Sequence, residues 1–244
     1  MDEDFLRVFE HTNKFYFKRL GLIVVFSVPF LIAFLLLLLV PAPTYLSLGS
    51  TFLRTGSIPE LSILDILLTA AAYVVAVFII ADTIVNVNII VRSKRTLTSI
   101  KHEVVTALGK YATRIFYIYT MMILLLFIAQ LVFYEHPLQS WIYPIFAFAL
   151  SFLLFFVAPA VVIDNSDTPT AIRRSVSMAI RNPLSVILWT FSGLFAISLL
   201  ELIALLIVPS VSSILVMLIN SLFILPYLII LQTQMYMEKY PLAR

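Results

Sequence analysis

The sequence predicts an all-α integral membrane protein with six transmembrane helices, and three observations carry that prediction. The composition is 62% hydrophobic and only 12% charged, against about a quarter charged in average soluble domains. The mean hydropathy is +1.07. The charge is gathered into short stretches that separate long apolar runs, and each run reaches the roughly 20 residues that cross a hydrocarbon core of about 30 Å. The sequence has neither strand-like alternation nor turn-punctuated ten-residue segments, so a β-barrel is not indicated.

The first span is predicted from about Leu20 to Val40, closed by Pro41-Ala42-Pro43. The second, about Leu61 to Val91, is long enough to tilt or to project beyond the bilayer. The third runs from about Ile115 to Phe133, and a tight turn with Glu135, His136 and Pro137 leads to the fourth, about Ile142 to Ile163. The fifth covers about Leu184 to Val208 and breaks at Pro209-Ser210; the sixth covers about Val211 to Leu231. Pro29, Pro159 and Pro226 fall inside spans, where proline removes a backbone donor and can kink a helix.

Orientation follows from Lys and Arg. Fifteen of the 16 basic residues lie before span one, between spans two and three, between spans four and five, or after span six; only Arg54 lies opposite. The positive-inside rule makes the basic face, with both termini, cytoplasmic. The expected location is the plasma membrane of a prokaryote. The net charge of +3 then implies anionic headgroups rather than nucleic acid as counter-ions. Met1-Asp2-Glu3-Asp4 is acidic and the first apolar run is too long for a signal-peptide core, so that run is expected to be retained.

The basic segments carry helical patterns of their own. Leu97, Ile100, Val104 and Leu108 recur at helical spacing away from Lys101 and Lys110. Ile172, Val176, Ala179 and Ile180 form a similar stripe opposite Arg173, Arg174 and Arg181. Each suits a helix lying along the membrane surface with its apolar side on lipid or on the bundle. Thr168 with Pro169 is the expected start of the second, and Asn182 with Pro183 the start of the next helix. Phe5, Val8 and Phe9 suggest a weaker copy before span one.

These segments look repeated. Thr98 to Val104 aligns without gaps on Thr170 to Val176, and Phe78 to Asp82, Phe155 to Pro159 and Phe223 to Pro226 are similar stretches on spans two, four and six. One polytopic domain, 1–244, is expected to contain three units, 1–91, 92–163 and 164–244. Each unit is an amphipathic cytoplasmic helix followed by a membrane hairpin.

Two carboxylates fall inside spans. Asp82 lies ten residues before Arg92, so about 15 Å from the cytoplasmic edge at about 1.5 Å per residue. Asn86 is one turn beyond it, with Thr83 and Asn88 nearby, and Asn220 on span six falls at a comparable depth. Glu201 sits towards the outer side of span five. Charge near a bilayer centre is expensive, so such groups face a bundle interior or water. They are read either as an ion or proton site or as interhelical hydrogen bonds that fix packing. Lys101, Lys110, Arg173, Arg174 and Arg181 are read as contacts to headgroups or to a partner subunit. Asp164 and Asp167 are placed as helix caps or as cytoplasmic ligand contacts.

Enzyme signatures are largely missing. There is no cysteine, the five glycines make no phosphate loop or nucleophile elbow, and His11, His102 and His136 are dispersed. No metal or cofactor is expected.

The stretch Phe155 to Asn165 (FFVAPAVVIDN), with Thr170 to Ser175 and Arg181-Asn182-Pro183 after it, resembles a motif in a loose group of polytopic families. These include the membrane domain attached to some glycerophosphoryl diester phosphodiesterases and several uncharacterised bacterial and archaeal proteins. The shared features are a proline and an acid closing one span, then Ala-x-x-x-Ser on a basic helix. The resemblance covers roughly an eighth of the chain and implies an all-helical membrane module; phosphodiesterase activity is not carried over. The layout is also loosely similar to ABC permeases, although their Glu-Ala-Ala loop with its glycine is missing. The function expected is a transport-related or permease-like subunit. The alternatives are a non-catalytic scaffold or assembly subunit and an intramembrane lipid-modifying enzyme.

Overall fold

A computed structural model describes residues 3–38, 63–96, 108–133 and 136–239. Among them the regular secondary structure is entirely helical, with no strand. The elements are α1 (Glu3–Lys18), α2 (Leu20–Leu38), α3 (Ile63–Thr96), a π-helical turn Leu108–Ala112, α4 (Thr113–Val132), α5 (Gln139–Leu153) and α6 (Val157–Ile163). There follow α7 (Thr168–Arg181), α8 (Pro183–Ile207), a 3-10 turn Pro209–Val211, α9 (Ser212–Ile219), a π-helical segment Asn220–Ile224 and α10 (Leu225–Lys239). Six helical stretches are long and apolar enough to cross a membrane: Leu20–Leu37, Ile63–Ser93, Gly109–Gln130, Gln139–Ile163, Pro183–Ile207 and Pro209–Glu238. The protein is a multi-pass helical membrane protein.

The spans start near the expected positions but do not all end there. α3 has 34 residues, roughly 51 Å at about 1.5 Å per residue, well beyond the hydrocarbon core. α10 likewise continues eight residues past the expected end of span six.

Burial explains these overhangs. Along α3 only Ala76 is buried among the described side chains before Ala81, whereas Ala81 and every residue from Thr83 to Val91 is buried. All of α6 is buried, as are Leu228 to Leu231 and Met235 to Met237 on α10. These segments form one core with Phe5, Val8, Phe15 and Tyr16 of α1 and with Ala171, Met178 and Ala179 of α7. The core thus sits at the end of the bundle that carries α1. At the far end Val74, Leu124, Phe127, Phe195 and Leu206 stay exposed. Helices surrounded by lipid gain little from burying such side chains, because the tails are equally apolar. In water the same side chains must be covered.

Each described amphipathic helix packs on the overhang of a span. α1 runs antiparallel to α10: Arg7 pairs with Glu238, the Tyr227 hydroxyl donates to Asn13 Oδ1 at 2.7 Å, and the Tyr16 hydroxyl donates to the Phe223 carbonyl at 3.1 Å. α7 folds back on α6. Its buried face is Ala171, Ser175, Met178 and Ala179, while Ile180 is 61% exposed. Of the expected stripe, Ala179 is buried and Ile172 packs against the core. Small residues face the bundle because they allow close approach, and the larger Ile172 and Val176 sit at its margin. The helix start is also one residue earlier than expected: Asp167, in extended conformation, is the N-cap and Thr168 the first helical residue. Asn182 does precede α8, but its amide donates backwards to the Met178 carbonyl rather than capping forwards. The segment 97–107, with Lys101, lies outside the described residues.

Two prolines coincide with breaks in their helices. Span four is interrupted over residues 154–156, just before Pro159. Proline offers no N–H to the carbonyl four residues earlier, and that carbonyl, of Phe155, accepts instead from Gln232 Nε2 at 2.5 Å. Ser175 closes the rest of the gap, accepting from the Phe156 N–H at 2.9 Å and donating to the Leu153 carbonyl at 2.8 Å. Span six turns π-helical over Asn220–Ile224, just before Pro226, and there Tyr16 donates to the exposed carbonyl. Pro29, by contrast, lies within continuous α2.

Candidate functional site

The four intramembrane polar residues separate into two groups. Asp82 and Asn86, four residues apart on α3, face each other as helical geometry dictates, and Asn86 Nδ2 donates to Asp82 Oδ2 at 3.0 Å. Asp82 Oδ1 and Asn86 Oδ1 are both buried with no hydrogen-bond partner among the described residues. The neighbours expected to join them do not. Thr83 donates to its own helix at Ile79, and Asn88 turns to α10, accepting from Thr233 at 2.6 Å.

The Asn88–Thr233 bond also sets the register between α3 and span six. Asp82 lies six residues before Asn88, whereas Asn220 lies 13 before Thr233. A difference of seven residues puts Asn220 roughly 10 Å closer to the far end, at about 1.5 Å per residue. The expected meeting of Asn220 with Asp82 is therefore replaced by a different one. Asn220 and Glu201 line a common cavity of about 720 Å³, together with Phe34, Leu37, Ser213 and Met217. Asn220 Oδ1 is a third buried acceptor without a partner among the described residues.

A third polar centre is one that sequence reasoning placed only loosely. Asp164 ends α6, and its side chain is 6% exposed. Its Oδ2 accepts from Arg174 Nη1 at 2.6 Å and from the Tyr236 hydroxyl at 2.5 Å. Arg174 also reaches Ser166 Oγ at 2.9 Å. Arg92 donates to the Val162 carbonyl at 2.8 Å and to the Tyr111 hydroxyl at 3.0 Å, and Arg114 donates to the Ser166 carbonyl at 2.8 Å. Three arginines from three helices thus converge on the carbonyl-rich end of α6 and the turn after it. Cations are favoured there because helix C-termini carry partial negative charge. Arg174 is consequently a core tie rather than a headgroup contact. Arg173, Arg181 and Lys110 are exposed, with Lys110 Nζ 5.6 Å from the Tyr111 ring centre. In the sequence Asp164 and Arg174 stand ten residues apart on either side of a helix start, and no periodicity along the chain pairs them.

Aromatic side chains seal the break in span four. Phe155 stacks edge-on against Trp189 at 4.8 Å between ring centres, and Trp189 Nε1 donates to the Leu228 carbonyl at 2.7 Å. Outside the membrane-spanning segments, burial pushes the Tyr16 hydroxyl up to about 12, and the Lys14 ammonium holds Glu10 below the usual carboxylate range.

Comparison with protein-family models, with curated proteins and with solved structures finds no match for this chain.

Proposed function

We propose that this chain is a transport-related membrane protein in which Asp82 and Asn86 form an intramembrane cation or proton site. The observation that carries the reading is the pair of buried oxygens, Asp82 Oδ1 and Asn86 Oδ1, with no donor among the described residues. Buried acceptors are nearly always satisfied. Two bare oxygens on adjacent turns suit a small cation or a shared proton, the species that intramembrane acids usually handle.

The test is carbodiimide labelling of the protein in nanodiscs, read by peptide mass spectrometry, since the reagent modifies protonated carboxyls in apolar surroundings. Labelling at Asp82 that falls with added sodium identifies a cation site. Labelling that falls only with rising pH identifies a proton site. If Asp82 is never labelled and Asp82→Asn merely lowers thermal stability, the residue is a packing group and the transport reading fails. The second reading, a scaffold or assembly subunit, is favoured by the tightly tied core at the α1 end. A partner subunit would dock on the exposed Lys110, Arg173 and Arg181.

The three-unit organisation belongs to the same proposal. Two of the three units show the same device: an amphipathic helix covering the overhang of a span, α7 on α6 and α1 on α10. Both of those spans are distorted in the turn ahead of a proline. The basic α1 end is taken as cytoplasmic, in the plasma membrane of a prokaryote.

A further inference from the structure

The cavity at the far end has a chemistry that the Asp82 site does not share. It lies where α2 and α8 both pack on the span-six segment, but not closely on each other, leaving a gap between them. Phe34 and Leu37 of α2 form one wall, Glu201 of α8 another, and Met217 and Asn220 the floor. A volume of about 720 Å³ falls within the roughly 300–1,000 Å³ typical of small-molecule sites.

Its polar groups point to one kind of ligand. Glu201 is exposed to the cavity, and among the described residues it has no cationic partner. Asn220 Oδ1 is buried and accepts nothing from the described residues. Ser212 already donates to the Pro209 carbonyl at 3.1 Å. The cavity therefore offers a carboxylate, the Asn220 amide and the Ser213 hydroxyl within a largely apolar lining, and the carboxylate is its one charged group among the described residues. A carboxylate at membrane depth is costly unless it is hydrated, protonated or paired. A charged donor would resolve both groups at once.

We infer that the cavity binds a cationic amphiphile: an aliphatic or aromatic body between α2 and α8, with an ammonium or guanidinium head that donates to Glu201 and Asn220. An anionic amphiphile is disfavoured by repulsion from Glu201. A neutral one leaves the carboxylate unpaired. This inference does not depend on Asp82 being an ion site, because the two groups lie on different helices at different depths.

The experiment measures binding of dodecylamine and dodecanol, which share a chain and differ in the head, to the full chain in nanodiscs by native mass spectrometry. Charge-assisted hydrogen bonds discriminate by about tenfold to a hundredfold, so the amine is expected to bind more tightly by that factor. Glu201→Gln should erase the difference, chiefly by weakening the amine. Leu205→Trp, which narrows the cavity from α8, should weaken both ligands. Equal binding of amine and alcohol, or a preference for the amine that survives Glu201→Gln, overturns the inference. A Leu205→Trp variant that binds both ligands like the unmodified protein overturns the location.

Discussion

Replacing Asp164 by alanine is the sharpest test of how the α1 end is held together. The substitution removes a carboxylate that is 6% exposed and leaves Arg174, 33% exposed, without its acid. It also strips the acceptor from the Tyr236 hydroxyl, on a residue that is fully buried. Breaking a buried ion pair from one side costs about 3–5 kcal/mol. Arg174 keeps Ser166 and some water, so the lower part of that range applies. The tyrosine adds about 1 kcal/mol for an acceptor lost in the core. The two contributions share one oxygen and do not add fully, so the expected loss is about 3–4 kcal/mol.

For a chain of this size each 1 kcal/mol shifts the unfolding midpoint by about 2–4 °C, so Asp164→Ala should melt roughly 6–15 °C lower. The assay is size-exclusion chromatography in mild detergent after graded heating. Its midpoint is an apparent one, because such unfolding is commonly irreversible. Arg174→Gln should cost a comparable amount. The double variant should lose clearly less than the sum, with a coupling of about 1–3 kcal/mol. An Asp164→Ala midpoint within about 2 °C of the parent, or strict additivity in the double variant, refutes the argument that this pair ties α6, α7 and α10 together.

Two further outcomes follow from the same geometry. Ser175→Ala leaves a buried N–H at Phe156 and a carbonyl at Leu153 unmatched, so it should cost about 2 kcal/mol; a neutral result in the same melt would mean that water fills the break as well as serine does. The Tyr16 hydroxyl, raised to about 12 from its usual value of about 10, is neutral in the folded protein when the unfolded chain begins to ionise. Its contribution is therefore complete below about pH 10 and is lost as pH rises towards about 12. Tyr16→Phe should flatten the fall of thermal stability across that window, and an unchanged slope would show that Tyr16 is not the group responsible.

Much of this molecule can be derived from its sequence, for a plain physical reason. A bilayer rejects charge and demands internally satisfied backbone, so long apolar runs must be helices and their basic flanks mark one side. Six spans with starts near Leu20, Ile63 and Pro183 follow from that constraint alone, whereas helix formation by Glu3–Lys18 and Thr168–Arg181 is read from apolar residues at helical spacing. The partnership of Asp82 with Asn86 is equally local, because four residues are one turn of a single helix.

What the tertiary structure decided is everything that depends on register between helices. Asn220 belongs with Glu201 rather than with Asp82 because Thr233 meets Asn88, and no count along one chain segment reveals that offset. The buried face of α7 is Ala171, Ser175, Met178 and Ala179, with Ile180 turned outward, which depends on how α7 meets α6. Ser175, Gln232 and Tyr16 serve the distorted turns ahead of Pro159 and Pro226 in other helices, and Gln232 takes the Phe155 carbonyl that Pro159 leaves without its helical donor. Composition sets which segments enter the membrane, because transfer from water is a property of each segment by itself. Which polar atoms end up partnered, and which remain bare, is a property of pairs of helices and is settled only when they pack.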